Sequence, residues 1–189
     1  PKQMYHYLSC KDICYFTIRR HNCVRDLIMY YVKKIEGAMC NGENTVYNLQ
    51  APQNHRRYDI RVTLPMSQDP IYIDTLTMNV GALTYQNQSN EESLIQGQKL
   101  KINKYRTTLP LIVDDSRRFV PFVVDVTGNI GPLGTAFIER LHDIAKTNCP
   151  RFKTLFKRDL SLIMAGKVSD TITKFNAKQW SVVGEGNMG

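Results

Sequence analysis

The chain has 189 residues, 42% hydrophobic and 22% charged, which suits one globular domain with a buried core and excludes a disordered polymer. Twenty-five Lys and Arg against 17 Asp and Glu give a net charge of +8, spread along the chain rather than gathered in a tail. Such a folded basic surface fits a polyanionic partner, most simply nucleic acid, and no apolar run approaches the roughly 18 residues a membrane span needs.

Residues 1–6 carry neither an initiator Met nor a signal-peptide pattern, as expected of a piece of a longer protein. Over residues 18–35, Val24, Leu27, Ile28, Tyr31, Val32 and Ile35 recur at helical spacing, and Gly37 is a suitable stop. A turn is expected over 41–44, a short strand over 45–49 and a polar loop over 52–57. Residues 58–64 alternate as a strand, with Ile60, Val62 and Leu64 on one face and Asp59, Arg61 and Thr63 on the other. A turn between Pro65 and Pro70 returns the chain into a second strand over 71–77, where Asp74 interrupts Ile71, Ile73 and Leu76.

Residues 78–90 read as a polar loop. Glu91 and Glu92 open a helix to about Tyr105, with Gly97 a weak point in its middle. The apolar run 119–126 is expected as a buried strand. Helices follow over 133–145, 152–164 and 168–180. The order α-β-β-β-α-β-α-α defines the expected fold class: α/β, a small mixed β-sheet flanked by helices.

Five cysteines in a chain of this length point to reduced thiols rather than a disulfide framework. His6, Cys10, Cys14, His21 and Cys23 are zinc-ligand types, but no C-x₂-C pair is present. Asp125 is expected to be a hydrogen-bonded structural acid. Glu36 or Glu43 offers an additional acid, with nothing to select either. Trp180 and Tyr85 are able to stack on bases, although aromatic residues at helical spacing usually belong to a core.

Asp59 and Asp74 fall on successive strands of a hairpin, which lets their carboxylates converge. On the next helix Leu94, Gln98, Lys101 and Tyr105 share one face. Mg²⁺ takes a few carboxylate oxygens and keeps several waters, so two acids are enough to recruit it for phosphodiester hydrolysis. A lysine beside it can orient the water or neutralise charge on the phosphate. Against this stands a purely structural assignment, in which Asp59 ends a strand, Asp74 pairs with an arginine and the lysines line a solvated helix.

Arg20-His21-Asn22, Tyr58-Asp59, Ile71 to Asp74, Lys101 to Tyr105 and the run 119–124 occur in an order that resembles a known series. It is that of the restriction-like endonuclease domain of site-selective non-LTR retrotransposon proteins, a branch of the PD-(D/E)XK nuclease superfamily. The resemblance spans roughly 18–145. It implies a restriction-endonuclease-like core (α-β-β-β-α-β-α) with extra C-terminal helices, and catalytic residues Asp59, Asp74, Lys101, Lys104 and Tyr105. Asp59 and Asp74 would hold Mg²⁺ or Mn²⁺, and Tyr105 would position the lysine.

Tyr58 stands where the family has proline, and Asp74-Thr75-Leu76 lacks the lysine of a (D/E)-x-K element, leaving Lys101 or Lys104 to supply it. Expected DNA contacts are Arg19, Arg20, His21, Asn22, Arg56, Arg57, Arg61, Lys99 and Arg106; for Arg20-His21-Asn22, packing and helix capping remain an equal alternative. The implied organisation is an upstream zinc-knuckle and linker remnant at 1–17, a nuclease core at 18–146, a helical extension at 147–183 and a loose tail at 184–189. His6 and Cys10 would be the second half of the family's CCHC motif. The implied function is a metal-dependent nuclear endonuclease that nicks double-stranded DNA for target-primed reverse transcription. Its partners would be the reverse transcriptase domain of the same polyprotein and, indirectly, the element RNA. A junction- or branch-specific nuclease and a non-catalytic basic nucleic-acid-binding module are the alternatives.

Overall fold

The computed structural model describes residues 14–46, 56–67, 69–85, 87–106 and 110–185. The elements are α1 (Cys14–Val32), β1 (Met39–Val46), β2 (Arg56–Thr63), β3 (Ile71–Met78), α2 (Asn90–Tyr105), the one-turn α3 (Pro110–Val113), β4 (Phe119–Asp125), α4 (Pro132–Ala145) and α5 (Phe152–Glu185). A 3₁₀ turn at Leu83–Tyr85 lies in the expected polar loop. The strands form one mixed sheet ordered β1-β2-β3-β4, antiparallel up to β3, with β4 parallel to β3. The chain is therefore α/β with a small mixed sheet flanked by helices, as the hydrophobic periodicities indicate.

Alternation divides the strand residues between two faces. Ile60, Val62, Ile71, Ile73, Val120, Phe122 and Val124 pack against Val24, Ile28 and Tyr31 of α1, Phe137 and Leu141 of α4, and Phe156 and Leu160 of α5. Tyr31 anchors this core by edge-on contacts with Phe152 and Phe156 and by a 2.6 Å hydrogen bond from its hydroxyl to Asp159. The opposite face is covered by α2 in two smaller clusters, Met78 and Val123 with Leu94, and Phe119 with Tyr105 and Val113. Leu76 belongs with the first of these, not with Ile71 and Ile73. Tyr72 belongs with the second, so Asp74 stands between the two clusters on the α2 face.

Several sequence expectations are corrected. The first helix begins four residues before Ile18 and ends at Val32, where a turn containing Gly37 at φ +75° leads out. Residues 41–44 form part of β1 rather than a turn, because their main chain pairs with β2 from Met39↔Thr63 to Val46↔Arg56 whatever the polarity of the side chains. Residues 56–57 likewise belong to β2, not to the preceding loop. The two C-terminal helices are one, α5; Gly166 meets open space and costs it roughly 1 kcal/mol, too little to break it. Phe152, Phe156, Leu160 and Met164 share the main core with α1 and the sheet, so the first half of α5 is no appendage.

The start of α2 is set by Ser89 and Glu92. The Ser89 hydroxyl accepts from the Glu92 N–H, and the Glu92 carboxylate accepts from the Ser89 N–H at 2.8 Å, a reciprocal capping box. Gly97 lets this helix approach the sheet closely. A Cβ there would collide with Met78 and press on Val123 and Leu76. Gly97→Val is therefore expected to destabilise the protein by about 2 kcal/mol despite removing a mid-helix glycine, measured as a lower urea midpoint at unchanged m-value.

Candidate functional site

Asp74 is 2% exposed, and two ammonium groups from α2 converge on one of its oxygens. Lys101 Nζ lies 2.6 Å from Oδ2 and Lys104 Nζ lies 3.5 Å from the same atom. Their spacing on α2, with Tyr105 next, brings all three over the gap in the second face. Lys104 also donates to the Tyr105 hydroxyl at 3.1 Å, while the Tyr105 ring is buried against Phe119. Burial pushes the Asp74 carboxyl above its ordinary value; the ammonium groups of Lys101 and Lys104 oppose that, and the charge of Asp59 adds to it. Lys101 is the enclosed partner, with 14% of its side chain exposed, and Lys104 the more open one at 35%.

The β2–β3 ladder ends at Ile60↔Ile73, one pair short of setting Asp59 against Asp74. Instead, the Asp59 carboxylate turns to Thr75 and α1. Its Oδ2 accepts the Thr75 N–H at 2.5 Å and the Thr75 hydroxyl at 2.6 Å. Its Oδ1 lies 3.3 Å from His21 Nε2, and Thr75 Oγ1 lies 3.0 Å from His21 Nδ1. Burial would raise the Asp59 carboxyl, but the hydrogen bond and charge of His21 and the two bonds from Thr75 outweigh it and hold it at about 2.

Asp74 thus feels the charge of Asp59, but the two have separate partners, Asp59 on the α1 side and Asp74 on the α2 side. Among the described residues no three His, Cys, Asp or Glu side chains form a ready-made metal cage. The donor types present, carboxylates with water and phosphate to complete the shell, are those a hard cation such as Mg²⁺ or Mn²⁺ takes. Both lysines reach Oδ2 of Asp74, and no hydrogen bond to its Oδ1 is made among the described residues.

Other expected site residues fall differently. Arg20 is 2% exposed, with its guanidinium donating to Thr171 of α5 at 3.1 Å and to Thr17 at 3.3 Å; burial lowers its pKa. It joins α1 to α5, which is the packing role the sequence held open for it. His21 faces Asp59, and Asn22 is half-buried. Arg19, Arg61 and Lys99 are exposed, as is Arg106, which pairs with Asp114 at 3.2 Å. The side chains of Arg56, Arg57, Glu43 and Trp180 lie outside the described residues, as do His6 and Cys10. Glu36 lines a surface hollow with Pro65, Ile144 and Asn148, at the far end of α1 from His21.

Asp125 receives Thr127 and Asn129 main-chain N–H groups and both of their side chains, organising the turn that contains Gly128 at φ +95°. Cys23, Cys40 and Cys149 are free thiols. No described helix is long and apolar enough to cross a membrane. The residue that sequence reasoning missed is Thr75. Its signal was a hydroxyl in the row of β3 that otherwise presents Ile71 and Ile73 to the main core.

No protein-family model matches the chain, and no curated protein matches its sequence.

The lowered Asp59 value corresponds to about 2 kcal/mol of folded-state stabilisation relative to an unfolded value near 3.8. A depressed carboxyl contributes fully above its unfolded value and loses that contribution as pH falls through its folded one. Asp59→Asn should therefore be less stable than wild type at pH 5–7, with the difference closing between about pH 4 and pH 2, measured by urea unfolding across that range.

Proposed function

We propose that this chain is a divalent-metal-dependent DNA endonuclease of the restriction-like type that accompanies non-LTR reverse transcriptases. The observation that supports this reading most is the convergence of Lys101 and Lys104 on Asp74, beside an ionised Asp59 on the adjoining strand. These are residues of the resembled motifs, carried on β2, β3 and α2.

Asp59 and Asp74 would hold Mg²⁺ or Mn²⁺. When bound, the cation polarises the scissile phosphate and acidifies an attacking water. Lys101, enclosed and close to Asp74, balances the buried carboxylate. Lys104, more exposed and steadied by the Tyr105 hydroxyl, is the better placed of the two to meet a DNA phosphate. The exposed Arg19, Arg61, Lys99 and Arg106 supply sequence-independent backbone attraction. The product nick would prime reverse transcription in the nucleus by a polymerase domain of the same polyprotein, with the element RNA as its template.

Wild type is expected to nick duplex DNA with Mg²⁺ or Mn²⁺, and Asp74→Ala to lose at least ~100-fold of that rate at retained DNA binding. Equal behaviour of the two would leave a basic binding module. Strong preference for four-way or branched DNA over linear duplex would move the assignment to a junction nuclease. Between the lysines, Lys104→Met should lower nicking roughly 100-fold at an unchanged unfolding midpoint. Lys101→Met should lower both, since it strips the nearer counter-charge from a buried carboxylate. The reverse pattern would transfer the phosphate contact to Lys101.

A further inference from the structure

We propose that Thr75 is a positioning residue for the cation site: its N–H and hydroxyl together fix one oxygen of Asp59 and so set the orientation in which the carboxylate meets a divalent ion. The inference rests on the metal-dependent reading above and names a residue outside the acids and lysines of the motif.

Thr75 is completely buried in β3, opposite Phe122 on β4. Ile71 and Ile73 precede it on the same face of the strand, where valine would match its shape and avoid burying a hydroxyl. That hydroxyl is committed to Asp59 Oδ2 at 2.6 Å. The Thr75 N–H reaches the same atom at 2.5 Å, at the point where the β2–β3 ladder has stopped supplying partners to β3. One donor is fixed by the strand and the other by the stiff χ1 of a β-branched side chain, so Oδ2 has little freedom to rotate.

His21 completes the arrangement. The Thr75 hydroxyl donates its one proton to Asp59 and is left to accept from the imidazole, whose Nδ1 is 3.0 Å away. With a proton on Nε2, the ring instead faces Asp59 Oδ1 at 3.3 Å. Either way the ring touches both members of the pair. Hydrogen bonds that orient a ligating carboxylate raise the site's affinity for metal, and their loss typically costs 10–100-fold.

The test is Mn²⁺ affinity of the full chain, read by electron paramagnetic resonance without DNA, for wild type, Thr75→Val, Thr75→Ser and Asp59→Asn. Thr75→Val should bind Mn²⁺ roughly tenfold more weakly, with metal-free DNA binding unchanged, and should shift the Mg²⁺ requirement for nicking by the same factor. Thr75→Ser, which restores the hydroxyl, should return to within about twofold of wild type. Wild-type affinity in Thr75→Val overturns the proposal. So does an equal loss in Thr75→Ser, which would mark a packing effect, and so does wild-type affinity in Asp59→Asn. If Thr75→Val does not fold, Thr75→Cys puts a weaker donor in place of the hydroxyl, and wild-type affinity there is equally adverse. The expected Mn²⁺ series in a protein that nicks no DNA supports the clamp and overturns the nuclease reading instead.

Discussion

Asp74 is a carboxylate in the interior of a sheet, and the surrounding architecture is what makes that placement tolerable. Removing such a group from water costs several kcal/mol unless counter-charges and hydrogen bonds accompany it. Two lysines of α2 provide the counter-charge, and they arrive only because α2 lies close against the face that carries Asp74. Gly97 permits that approach, and the box of Ser89 and Glu92 fixes where the helix begins, hence which residues face the sheet four and seven positions past Gly97. A helix one residue out of phase would leave the carboxylate unpaired.

Asp59 meets the same constraint by a different route. It stands where β2 and β3 part, and its side chain replaces the missing ladder bond to Thr75. The result is a carboxyl held at about 2, next to one pushed above its ordinary value. Two acids with opposite shifts at one locus amount to one firmly ionised group and one whose charge depends on cations beside it. At Asp74 the lysines favour the ionised form against burial.

Much of the fold was legible from hydrophobic period alone. The alternation of Ile60, Val62 and Leu64, the helical spacing of Val24, Ile28 and Tyr31, and the continuous run of β4 each correspond to a formed element. The failures have physical causes. Polar residues 41–44 join β1 because backbone pairing with β2 is indifferent to side-chain polarity at an edge strand, and Gly166 does not interrupt α5 because one solvent-facing glycine is a minor cost. For Arg20 the sequence left packing and DNA contact as equal alternatives. Only the packing of α5 over α1 shows that its guanidinium serves Thr171.

For the site, the residue types and their order lay in the sequence: two acids in successive strands, then Lys101 with Lys104 and Tyr105 about one turn further along a helix. Periodicity placed Lys101 and Tyr105 on one face, because side-chain direction along a helix is fixed by its geometry. Which lysine is enclosed, which oxygen it meets, that Thr75 binds Asp59, and that His21 faces that carboxylate were decided by tertiary structure alone. Those facts depend on the approach of α1 and α2 to opposite faces of β3. That approach is set by complementary volumes at Gly97, Met78 and Val123 and across the main core, and no local pattern encodes it.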